Sequence, residues 1–193
     1  MEAVFQMIKE GFLSMIPVEP MDYFVLAISI LSTACIVSTS YIKNVKTILV
    51  LLAAANLAIA ISYFFTGNYN GAVSCTIGAG TAIVSGIYDM KGRDIPLFVS
   101  ILYGVVFTVA NLFAWEDWLP TGIVIVASLM FAISTIQKTG KMYRVWTIGN
   151  ILLWITYDIV KGSGGTLVSH LITFTFMISG MVIDVVRTKK IKQ

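Results

Sequence analysis

The chain has 193 residues, 58% hydrophobic and only 12% charged, with 13 Lys and Arg against 10 Asp and Glu and a mean hydropathy of +0.88. A soluble domain is about one-quarter charged, so a hidden soluble catalytic domain is excluded and an integral membrane protein remains. The net charge of +3 is too small to argue for a nucleic-acid partner.

The first sixteen residues set Val4, Phe5, Ile8, Phe12, Met15 and Ile16 at helical spacing opposite Glu2, Gln6, Lys9 and Glu10. That is the pattern of an amphipathic helix lying on the membrane, within a segment 1–20 that Pro17 and Pro20 close. Glu2 stands where a signal peptide would carry basic residues, so this segment is expected to stay on the chain.

Seven apolar stretches follow, at about 21–42, 47–65, 71–90, 95–114, 118–137, 142–160 and 165–187, each near the ~20 residues that a spanning helix needs. Between them Lys and Arg alternate sides, eleven on one and two on the other. Basic residues near span ends stay in the cytoplasm, which puts the N-terminus outside and the C-terminus inside a plasma (inner) membrane. Glu2, Glu10, Glu19, Asp22, Glu116, Asp117 and Asp158 gather on the outer side, where they read as markers of solvated loops and helix starts. Cys35 and Cys75 fall inside apolar stretches and read as small packing residues, neither disulfide nor metal ligands.

Laid on itself at an offset of 94, the chain matches Asn56 with Asn150, Ile61 with Ile155, Tyr63 with Tyr157, Gly71 with Gly165, Thr81 with Thr175, Gly86 with Gly180 and Arg93 with Arg187, without a gap. The expected fold is therefore all-α: a three-helix repeat over 21–90, a linker helix at 95–114, a second repeat over 115–187 and a basic cytoplasmic tail at 188–193. Because one helix separates two odd-numbered units, they are parallel, related by an axis along the membrane normal, with a solute cavity between them near the midplane.

This 3+1+3 plan resembles the superfamily of SWEET sugar transporters, PnuC-type vitamin transporters and the KDEL receptor. The stretch from Trp154-Ile155-Thr156-Tyr157 through Lys161-Gly162-Ser163-Gly164-Gly165-Thr166 to Arg187 resembles more closely the YgjV-type bacterial inner-membrane proteins. The transporter resemblance implies facilitated diffusion of a small polar solute past amide and aromatic side chains. The proline-glutamine pair of many relatives is absent, since Val25 to Tyr41 holds no proline.

Candidate solute-binding residues are the polar and aromatic ones inside spans. Asn56 shares a helix face with Tyr63, and Trp146, Asn150, Trp154 and Tyr157 share another. A pocket for a ring-shaped metabolite uses such a mixture. An amide in lipid can equally be interhelical glue worth about 0.6–2 kcal/mol, and Trp146 and Tyr157, near helix ends, read better as interfacial anchors. His170, the single histidine, shares a face with Thr173 and Met177. An imidazole changes charge near neutral pH, but no intramembrane acid is expected beside it, which argues against proton coupling. Asp184, one turn before Arg187, is expected to pair with it.

Ser74, Gly78, Ala82 and Gly86 form a ladder of small residues at intervals of four, read as close helix packing before a homodimer face. Asn111, in the linker helix, is expected to act structurally. No nucleophile, Glu-x-x-His or paired aspartate points to an enzyme, no cofactor or metal is called for, and no filter sequence points to an ion channel. The expected activity is alternating-access transport of a small polar metabolite such as a sugar or vitamin precursor. The alternative is a receptor or structural binding protein on the same fold.

Overall fold

The computed structural model describes residues 18–115, 117–161 and 163–191, with side chains up to Val186. The amphipathic segment at 1–16, Glu116, the end of the basic tail and the Arg187 side chain, all read above, lie outside the described residues.

Among the described residues seven helices occur: α1 Pro20–Thr39, α2 Val45–Phe65, α3 Tyr69–Met90, α4 Leu97–Phe113, α5 Trp118–Thr135, α6 Gly140–Lys161 and α7 Gly164–Ile191. Their limits follow local chemistry. Pro20 opens α1 behind Glu19, whose backbone N–H donates to the Asp22 carboxylate at 3.0 Å. Asn44 and Asp117 accept from the first amides of α2 and α5. Just past the end of α2, Gly67 takes φ 74°, a turn that a side chain would strain.

Five of the helices, α1, α2, α3, α5 and the Thr166–Val186 part of α7, are long and apolar enough to cross a membrane. Helix α4 is apolar but 17 residues long. Helix α6 is long but carries Lys141, Arg144, Asp158 and Lys161. Two of these are shielded by protein, Arg144 being 1% exposed and Asp158 fully buried. Outward-facing side chains are large and apolar, with Phe113 at 88% and Leu97 at 76% exposure. Apolar exposure on this scale suits a lipid bilayer as the surrounding solvent.

Helix α2 packs between α1 and α3, and α6 between α5 and α7, while α4 leans on α3 and α5. Across the molecule α1 meets α7 and α3 meets α5. The small-residue ladder is used inside the chain. All four residues are buried, a Cβ on Gly78 would come within 2.9 Å of Asn56 Oδ1, and Ser74 donates to Asn111 Oδ1 at 2.7 Å. Asn111 also donates to the Phe107 carbonyl, so it ties α3 to α4.

Candidate functional site

Helices α1 and α7 touch at one end and part toward the other. At the closed end a Cβ on Gly180 would sit 2.3 Å from the Ser40 carbonyl oxygen, and the Tyr41 hydroxyl lies 2.9 Å from Ser179 Oγ. Beyond it opens a cleft of about 800 Å³. Its wall runs along α1 from Met21 to Val37, about 24 Å of helix, and along α7 as far as Phe176. Along its length Ser29, Thr33, Ser62 and Ser169 interrupt the apolar lining, and Asp22 and Lys161 bring charge to it. Toward its open end the cleft is lined by the end of α2 and the start of α7, where Tyr63, Asn68 and Thr166 face it. The buried Nδ2 of Asn68, one of the residues in this lining, has no hydrogen-bond partner.

Directly behind these residues lies a buried polar cluster. Thr166 Oγ1 donates to Asp158 Oδ1 at 2.7 Å, and the Tyr63 hydroxyl donates to the same oxygen at 3.3 Å. The other carboxylate oxygen lies 2.6 Å from His170 Nδ1. Trp154 stacks between the ring of Tyr63, at 6.1 Å, and that of His170, at 5.9 Å. Beside them the Tyr157 hydroxyl donates to Asn68 Oδ1 at 2.5 Å, tying α6 to the α2–α3 turn. The close approach of Gly71 to Tyr63, where a Cβ would lie 2.8 Å from the ring, lets the tyrosine reach across to α6.

Several expectations change here. Asp158 marks no solvated loop: it is fully buried, because Tyr63 of α2 and Thr166 and His170 of α7 supply the partners that water would otherwise supply. His170 therefore does have a buried acid beside it. Tyr157 is no interfacial anchor, being fully buried with its hydroxyl spent on Asn68. Asp184 accepts from Arg144 Nη1 and lies 3.9 Å from Lys43 Nζ, a pairing across helices α6 and α7; the Arg187 side chain expected to pair with it lies outside the described residues. Arg144 also donates to the Ile42 carbonyl at 3.0 Å, so it fastens the closed end.

Of the candidate residues, the structure brings Tyr63, Trp154, Tyr157 and His170 into one cluster. Asn150 donates to the Ala127 carbonyl of α5 at 2.7 Å, and Asn56 to Leu52 of its own helix at 2.8 Å; neither is in the wall of the cleft. Thr173 is buried and bonds back to the Ser169 carbonyl. Asp158, Thr166, Asn68 and Arg144 were missed as site residues. The signal for Asp158 was its spacing of one turn from Trp154 on the face that carries Tyr157.

Fold and site together define a polytopic all-helical membrane protein with an ionisable pair enclosed among its helices. The chain belongs to the Imp-YgjV family, described as bacterial inner membrane protein, which matches residues 24–189. No curated protein and no solved structure matches it.

Proposed function

We propose that the protein is a transporter, facilitative or gradient-driven, for a small polar metabolite such as a sugar or vitamin precursor. The observation that carries this reading is the cleft between α1 and α7, shut at one end and lined toward the other by hydrogen-bonding side chains. Its volume falls in the range of small-molecule sites. In this reading all seven helices cross the membrane, and the matched segments form two parallel three-helix units. The contacts between units agree with that: exchanging α1 with α5 and α3 with α7 turns the α1–α7 contact into the α5–α3 contact. Closing the cleft while the Arg144–Asp184 end parts would carry solute across.

The test is uptake of labelled sugars, nucleosides and vitamin precursors into proteoliposomes, comparing the native chain with Ala34→Trp. Ala34 lines the cleft and is exposed to it, so an indole there fills the space without removing a hydrogen bond. Uptake above empty liposomes, reduced at least tenfold in Ala34→Trp with unchanged melting temperature, is the expected result. Uptake untouched by the substitution would remove the cleft from the pathway. Saturable binding without flux would assign the receptor alternative.

A further inference from the structure

The geometry points to the Asp158–His170 pair as a proton-binding site wired to the cleft through the hydroxyls of Thr166 and Tyr63. It deepens the transport reading by naming a coupling ion. An ionisable group inside a membrane protein is costly unless it works or is fully paired, and here an acid and a base lie 2.6 Å apart with side-chain exposures of 0% and 8%. With its shared proton the pair is net neutral; without it the carboxylate leaves one negative charge in a water-poor interior.

Two hydroxyl donors hold that charge, and both belong to residues that face the cleft. Hydroxyl hydrogens rotate to suit their acceptors. A solute oxygen that accepts from Thr166 or Tyr63 therefore takes a donor from Asp158. Hydrogen bonds to a charged form favour it, so their loss favours the protonated pair, and a proton enters with the solute. By linkage, the proton strengthens solute binding by the same factor. The solute class this selects is one rich in acceptor oxygens and without a negative charge of its own.

The other ionisable groups around the pair are few. Tyr63 comes from α2, and Cys75 from α3 is buried in the same cluster as Tyr63 and Tyr157. Tyr157 and Lys161 share α6 with Asp158, and Asp22 of α1 stands at the cleft mouth. Helix α5 contributes no titratable side chain. His170 is thus the group placed to exchange a proton directly with Asp158.

Trp154, stacked on His170, is a built-in reporter that needs no known solute. In a chain with Trp115→Phe, Trp118→Phe and Trp146→Phe, its emission should change in one protonation step as pH is varied. His170→Gln should abolish that step. Thr166→Val and Tyr63→Phe, each removing one donor to the carboxylate, should move its midpoint up by about one pH unit, the equivalent of one charge-assisted hydrogen bond. A flat titration, or one unchanged in His170→Gln, overturns the proton site, and a midpoint unmoved by both donor substitutions overturns the wiring. Thr166→Val and Tyr63→Phe delete one hydroxyl each, so a fold defect in one leaves the other to decide. Flux in the Ala34→Trp comparison is read separately, so loss of either proposal leaves the other standing.

Discussion

Burial turns individual polar residues of this chain into structural commitments. Arg144 is 1% exposed at its side chain while its partner Asp184 keeps 24%. Removing the two is therefore unequal. Asp184→Ala strands a cation inside the protein, whereas Arg144→Met leaves a carboxylate that still reaches solvent and Lys43. Losing one member of a buried pair costs about 3–5 kcal/mol, and that cost should fall on Asp184→Ala, with Arg144→Met clearly milder. Thermal unfolding of both variants in one detergent checks it; equal melting temperatures would show that Arg144 finds another acceptor. Asn150→Ala should lower the melting temperature modestly through its lost bond to Ala127, by about 0.6–2 kcal/mol.

Between helices, the glycines separate two positions that the repeat equates. Gly86 and Gly180 occupy matched places in the sequence. A Cβ on Gly86 would stand 3.7 Å from the Leu49 side chain, ordinary contact, while one on Gly180 would stand 2.3 Å from backbone oxygen of Ser40. Gly86→Ala should be neutral or stabilise by up to about 1 kcal/mol, the helix-propensity gain. Gly180→Ala must push α7 away from α1, because a backbone carbonyl cannot swing aside. Its expected outcome is a lower melting temperature and easier chemical labelling of a cysteine placed at Ser40, with Gly86→Ala as the control. Helix existence and limits were readable in the sequence because apolar run length and capping residues are local. The different fates of these two glycines were not, because they depend on which helix lies opposite.

For the whole molecule, the distribution of Lys and Arg leads to a concrete expectation of topology. A green fluorescent protein fused after Gln193 should fluoresce and a periplasmic phosphatase fused there should be inactive; the reverse would invert every assignment of side. The membrane class, the seven helices and membership of a bacterial inner-membrane family follow from composition, run length and motif, all of which can be read along one dimension. The meeting of Asp158 with His170, of Arg144 with Asp184, and of Tyr63 with Trp154 belongs to three dimensions. Helical periodicity says which residues share a face of one helix, but the rotation of each helix about its axis is settled by packing against all its neighbours at once. Only when α2, α6 and α7 come together does an aspartate that reads as a loop residue become the buried centre of the site.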